Sequence, residues 1–479
     1  MNPTENQTSI GGTNANDASC RVPLLALFGG AALWLVAGLA LGIVAVMTFH
    51  KPDMFADCAF LTYGRAQAAA NDLLLYGFVI PAALGVMLWI FSRLSQAPLA
   101  LPFAAVAAAH LWHLGVLVGT ISILLGDSTG HPWLEYPRAA AVLLFAGFML
   151  IAVTAAATFG FRSQRELLPA HWFLFAALLV FPWIYSTANL FLVSNHMPRG
   201  VVQAIIGWWF ANNLLFVWLS LVGVGIAFYF IPKLAGKPLA QTGYALFAFL
   251  TLIFFGTWSG IPTNAPVPAW LPVLSSVASA LVLVPIVAIL IVTLKTLCGA
   301  NIVCQNDISC FIKFGMASFV ASGLLYVSQF CPQYSRVLDF TWFGVAESQF
   351  QLLGFVSMIL FGAIYYILPR LMGTALPFPK FATLHFWFAM AGVLLFVVPL
   401  FIGGMKQGHL LANGAPFAES SAVALKFLRI STTGQLIMLL GALLLTLNIL
   451  VMTLKWKLGL AKALFAAVTA PLETSEVKS

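Results

Sequence analysis

His110 and His113 stand three residues apart in an apolar run, a spacing that puts both imidazoles on one face of a helix, where together they could reach one metal ion or haem iron. One helix rarely completes such a site, and no second apolar run offers an obvious third ligand. The alternative is a pair of buried, hydrogen-bonded histidines. Of the other six, His50, His131, His196 and His409 fall in or beside expected loops, and His171 and His385 in expected helices. None of the six cysteines belongs to a C-x-x-C-H run, which excludes a covalently attached c-type haem, and the spacing Cys298, Cys304, Cys310 matches no familiar zinc pattern. Glu347 lies near the end of an apolar run, where an ionisable group is costly unless it faces protein or water.

Membrane-spanning helices must position these residues. Hydrophobic residues make up 61% of the 479-residue chain and charged residues 8%, against about 25% charged in soluble domains. A surface so poor in polar groups belongs in a lipid bilayer. The net charge of +8 comes from Lys and Arg scattered singly in short segments, which excludes a nucleic-acid surface and suits topological charges. Runs of ~20 apolar residues predict an all-α bundle of twelve transmembrane helices over 23–49, 72–95, 99–125, 136–160, 169–194, 203–232, 240–261, 268–296, 308–331, 344–371, 380–404 and 426–455. The seventh boundary is the hardest to draw, because Pro262, Pro266 and Pro268 crowd the segment after Gly260. Residues 1–22 read as a polar leader, 23–455 as the membrane domain and 456–479 as a polar tail. On that topology fourteen of the twenty-two Lys and Arg residues share one side with both termini, which places the termini in the cytoplasm of a bacterial inner membrane. Cys58 and Cys331 then share the outer, oxidising side, as a disulfide or as two unpaired thiols.

Several phrases carry a resemblance. They are Tyr63-Gly64-Arg65, Leu134-Glu135-Tyr136-Pro137, Trp208-Trp209-Phe210-Ala211-Asn212-Asn213 with Tyr229-Phe230-Ile231-Pro232-Lys233, Phe361-Gly362-Ala363-Ile364-Tyr365-Tyr366-Ile367-Leu368-Pro369-Arg370, and His385-Phe386-Trp387. In this order, with twelve spans, they resemble the catalytic subunit of the C-family (cbb-type) haem–copper oxidases, which typically read W-W-Y-G-H-N and Y-Y-F-I-P-K at the third phrase. The resemblance implies the twelve-span subunit I fold, two haems and one copper ion held by six histidines. A low-spin haem needs an imidazole on each face, a high-spin haem one, and the copper three. Matched position by position, the haem ligands fall on Ala70, Glu347 and Gln349, and the copper ligands on Asn212, Pro262 and Thr263. None of the eight histidines stands at a ligand position. Glu135 matches a glutamate that in the family lies near haem propionates and helps to bind calcium, a ligand set that is incomplete without haem.

From this follows an expected polar cavity in place of the cofactors, lined by Asp72, Asn212, Asn213, Glu347 and Gln349; the alternative is that the acids are solvated at the membrane interface. No haem or copper is expected at the family positions, and either would need replacement ligands such as His110 and His113. Oxygen reduction by this chain alone is not expected. The leading expectation is a cofactor-free structural or assembly subunit of a respiratory complex, surrounded by lipid and docking membrane or cytochrome c-bearing subunits. The alternatives are a transporter of protons, ions or small solutes through the emptied interior, and a haem-binding redox subunit with replacement ligands.

Overall fold

A computed structural model describes residues 15–163, 166–194, 200–300 and 307–469; the expected leader to residue 14, the distal tail from 470, His196 and Cys304 lie outside them. Long apolar helices dominate, because in lipid each backbone N–H and C=O must find its partner within the chain. They are α1 (Ala15–Met47), α2 (Tyr63–Ser95), α3 (Pro102–Leu125), α4 (Arg138–Gly160), α5 (Pro169–Val193), α6 (Val201–Ala235), α7 (Thr242–Gly256), α8 (Trp270–Leu297), α9 (Asp307–Gln329), α10 (Trp342–Met372), α11 (Pro379–Ala412) and α12 (Phe417–Thr469). α1 starts before the expected boundary at residue 23, and α12 runs past 455, so both polar ends begin as helix.

Eleven of these helices, not twelve, are long and apolar enough to cross a membrane. The exception is α7, whose 15 residues rise about 22 Å, short of a hydrocarbon core of ~30 Å. Helix stops at Gly256 because the prolines that follow, and Gly260 at φ +97°, do not continue it. The start of α7 lies beside the end of α8, where the Ala240 amide donates to Thr296 Oγ1 (3.0 Å). Beyond α7, the Ile261 amide donates to Ser275 Oγ near the start of α8 (2.8 Å). Irregular backbone at this depth is tolerated because protein covers it; Ile261 and Ser275 are buried.

Three helices form the centre. The most apolar stretch is wholly buried in α2 and α6 and 89% buried in α10, against 39–56% in the other eight long helices, which ring them. Both described chain ends lie on one face. There Asp17 of α1 accepts from Trp89 Nε1 (2.9 Å) and pairs with Arg93 (3.6 Å) at the end of α2, and Arg21 donates to the Leu371 carbonyl at the end of α10. α12 starts on the opposite face, where Arg429 donates to the Phe49 carbonyl, and reaches the terminal face where Asn448 meets Phe378.

Four helices widen locally into π turns, at Leu73–Val79 in α2, Asn189–Val193 in α5, Asn213–Trp218 in α6 and Phe350–Ser357 in α10. Such turns are rare and frequent at functional sites. All four sit nearer the face opposite the termini.

Candidate functional site

Asn212 ends the regular α-helical stretch of α6 just before its π turn and is bonded through both amide atoms. Its Nδ2 donates to the Gly256 carbonyl (2.9 Å), and its Oδ1 accepts from the Tyr326 hydroxyl of α9 (2.5 Å), with Ser259 Oγ 2.7 Å from that hydroxyl. The backbone passes so close that a Cβ on Gly260 would lie 2.3 Å from Asn212 Cβ. Phe216 stacks on Tyr326 at 4.2 Å between centroids. Asn212 therefore knits α6, α9 and the strand of chain after α7, rather than lining open space. Glu347 is buried beside it on α10, facing Gln329, with Tyr326 within its field. Asn213 turns back on its own helix, donating to the Trp209 carbonyl (2.8 Å).

Around Ala70 lies a second group. Gln349 and Gln67 both donate to Asn71 Oδ1 (3.2 and 3.0 Å). Gln349 Oε1 and Gln435 Oε1 are buried without a protein partner. Both glutamines line a cavity of about 20 Å³ together with Ala70, Gly42 and Phe396. That volume suits about one water molecule. A haem needs a pocket of several hundred Å³, and the donors here are amides, so the residues present do not fit one.

Asp72 belongs to a third group. It is fully buried, with both carboxyl oxygens unpartnered, and it abuts the carboxyl of Glu135 from the segment between α3 and α4. Tyr76, Tyr136 and Tyr185 surround the two acids. The five residues expected to line one cavity thus fall into separate clusters, each with its own partners. The solvated-interface alternative fails for Asp72 and Glu347, both buried.

The paired histidines do not converge. His110 is exposed on α3 and its Nδ1 contacts the Val106 carbonyl of its own helix (2.8 Å). His113 packs against α1, its Nδ1 accepting from Trp34 Nε1 (3.2 Å) and its Nε2 facing the Ala26 carbonyl (3.2 Å). Both nitrogens of His113 are committed, so the three-residue spacing yields no ligand pair. Pro262 and Thr263 lie in the chain after α7, where Thr263 Oγ1 meets Ser335 Oγ of the short helix Pro332–Leu338 (2.6 Å). Of the two alternatives for Cys58 and Cys331, a disulfide or two unpaired thiols, the structure has the second: both are free and half-buried. Among the described residues no group of three or more His, Cys, Asp or Glu is placed to hold a metal ion.

Sequence reasoning missed Tyr326, Ser259 and Gln435. Their partners lie far away in sequence, and nothing local marks them.

Two acids outside the spans give the protein a pH dependence. Burial pushes the Glu135 carboxyl up to about 7, and burial pushes Asp339 up to about 6 against the opposing bonds from Thr263 and Asn264. Ordinary carboxyls titrate near ~4, so the folded state binds these protons more tightly than the unfolded chain does. The stability they contribute is complete below the unfolded values and is lost as pH rises through about 6 and then about 7. The melting temperature in detergent is expected to fall between about pH 4 and about pH 7, with a shallower slope in Glu135→Gln and Asp339→Asn. An equal slope in both variants would refute these assignments.

Comparison with known proteins agrees with this architecture. Residues 22–437 match the family described as cytochrome c and quinol oxidase polypeptide I. The chain is 24% identical over 391 residues to the cbb3-type cytochrome c oxidase subunit CcoN1 of Stutzerimonas stutzeri, covering 78% of this chain and 81% of that protein. It is 25% identical over 420 residues to a cytochrome c oxidase subunit 1 homolog of Azorhizobium caulinodans, covering 84% and 74%. Its fold is similar to a chain of a haem–copper terminal oxidase dimer solved by cryo-EM, with a TM-score of 0.73 at 14% identity, covering 90% of this chain and 84% of that one. A match across most of its length, on a bundle with this centre, makes the chain a member of the cytochrome c and quinol oxidase polypeptide I family.

Proposed function

We propose that this chain is a cofactor-free member of the C-family branch, acting as a structural or assembly subunit of a respiratory complex in a bacterial inner membrane. In this reading Ala70, Glu347 and Gln349 stand where the family places haem ligands, and Asn212, Pro262 and Thr263 where it places copper ligands. The observation that carries it is Asn212, whose amide is consumed by Gly256 and Tyr326. That amide oxygen already accepts from Tyr326, and an amide oxygen is a poor substitute for an imidazole, since copper favours imidazole or softer ligands. The divergence of His110 and His113 weighs against replacement ligands. Both termini face the cytoplasm, as the charge bias suggests, and the lipid-exposed ring would dock membrane or cytochrome c-bearing subunits.

The test is a reduced-minus-oxidised visible spectrum with metal analysis, on protein purified from a host competent for haem and copper insertion. A flat spectrum without stoichiometric iron or copper is expected, and a c-type cytochrome subunit should co-purify from the native membrane. A b-type haem band with one iron per chain would overturn the proposal.

A further inference from the structure

A cleft of about 350 Å³ lies between α6, α8 and α9. It is near the face that carries the chain ends, where Tyr229 of α6 meets Trp89 of α2. Leu294 and Ala317 line it and are exposed, so it opens on the lipid-facing perimeter. Every residue lining it is apolar except Thr293 and Lys313. An empty apolar gap forfeits the contacts of its walls, which favours an apolar occupant. Thr293 is buried, at 5% exposure, and its hydroxyl has no hydrogen-bond partner among the described residues. Three residues on, Thr296 returns its hydroxyl to the Val292 carbonyl (2.7 Å), the usual recourse of a helical threonine. A buried hydroxyl left unpaired is costly, so Thr293 calls for an acceptor from whatever fills the cleft.

The charges at this end select the ligand. From α6 to α9 the Lys and Arg residues are Lys233, Lys237, Lys295 and Lys313, and all four stand at the terminal face, at the ends of α6 and α8 and the start of α9. Between Glu166 and Asp339 the sequence holds one acid, Asp307. Lys237 donates to the Cys298 carbonyl, next to the cleft residue Leu297. An ammonium has three donors, so that bond does not exhaust it. Helical Cα–Cβ bonds tilt towards the helix N-terminus, and α9 begins at this face, so Lys313 leans from the cleft wall towards the interface. Thr293 lies four residues inside the end of α8, about 6 Å of rise. The polar layer between hydrocarbon and water is ~5–7 Å thick on each side, which sets the Thr293 hydroxyl at the depth of glycerol esters. We propose that the cleft holds one anionic phospholipid. An acyl chain fills the space between the three helices, an ester carbonyl accepts from Thr293, and the phosphate faces Lys237 and Lys313. A zwitterionic lipid matches the walls but not the excess of lysine, and a quinone brings a carbonyl and an apolar tail but no negative charge. Basic pockets between spanning helices hold anionic headgroups in this way. The inference stands whether or not the chain binds haem elsewhere, since no residue of the cleft belongs to the matched ligand positions.

The experiment is native mass spectrometry of the full-length protein, delipidated in detergent and titrated with phosphatidylglycerol, phosphatidylcholine or ubiquinone. Wild type should take up one equivalent of phosphatidylglycerol at a concentration roughly tenfold or more below that needed for phosphatidylcholine. Lys237→Gln/Lys313→Gln should erase that preference and leave phosphatidylcholine binding unchanged. Ala317→Phe, which fills the cleft from its exposed rim and keeps the lysines, should remove the tight equivalent altogether. Thr293→Val should weaken both lipids severalfold. Equal uptake of the two lipids by wild type, or a tight equivalent that survives Ala317→Phe, would mean that lipids bind only around the perimeter, and would overturn the proposal. So would ubiquinone displacing phosphatidylglycerol one for one at a lower concentration. If the lysine variant does not fold, raised ionic strength on wild type gives the same reading, because screening should weaken phosphatidylglycerol and not phosphatidylcholine.

Discussion

Gly434→Leu is expected to abolish recovery of folded protein. α11 and α12 meet there backbone to backbone: a Cβ on Gly434 would lie 2.3 Å from the Phe396 amide nitrogen and 2.6 Å from the Gly392 carbonyl oxygen. Helices in lipid lack a hydrophobic drive to associate and rely on such close approach of small residues. Extra volume in a packed core costs about 1–3 kcal/mol when side chains can yield. Main chain cannot yield, so the two helices must separate along their length, and the loss approaches the ~5–15 kcal/mol that holds a typical protein together. Gly459→Leu, at the free end of α12 with nothing within 4 Å, is the control and should behave as wild type. Size-exclusion profiles of detergent extracts would show the difference; a monodisperse Gly434→Leu peak at wild-type yield would rule out this seam.

Asn212→Ala is expected to cost about 2–4 kcal/mol, the sum of lost hydrogen bonds at ~1 kcal/mol each and the desolvation of whichever group is left unpaired. Tyr326 can turn to Ser259 at 2.7 Å, which limits the damage, while the Gly256 carbonyl keeps only Ser259. Asn212→His is the sharper variant. It restores an imidazole at the proposed copper position, yet the ring must enter space bounded by Gly260 and Tyr326. Its stability should fall by at least as much, with no gain in copper. Unfolding in mixed micelles would measure both. Two unchanged transitions would mean that the network is not structural, and copper uptake by Asn212→His would contradict the absence of a copper site.

Much of the bundle could be read from apolar run length, since spanning helices have little freedom of length or direction. The seventh span could not, because apolar residues continue past Gly256 while the backbone leaves helix; hydropathy registers the first and not the second. Hydropathy also could not rank the spans. α2, α6 and α10 are apolar all round, as are helices whose outer faces touch lipid, so the centre emerges only from packing. His110 and His113 show the limit of spacing arguments: three residues apart on one helix, one ends exposed and the other against α1. The five polar residues expected to meet were linked by the resemblance, which placed them at one depth but not in one cluster. The contact of Asp72 with Glu135 joins separate segments and leaves no local pattern.

In the proposed correspondence the π turns at Leu73, Asn213 and Phe350 begin directly after, or within three residues of, Ala70, Asn212 and Gln349. A π turn inserts one residue, and one residue of helix is a rotation of about 100°. Each turn therefore acts as a coupling that separates the bearing of the short end of its helix from that of the long end. In α6 the contrast is plain: from Val201 to Asn212 only Phe210 and Asn212 are buried, whereas everything from Asn213 to Ile231 is. The short ends could exchange their side chains, imidazole for amide, without turning the faces on which the long ends pack. On the proposed correspondence the helices are modular: a side chain at the short end can change without rotating the face on which the long end packs, because the π turn between them uncouples the two bearings.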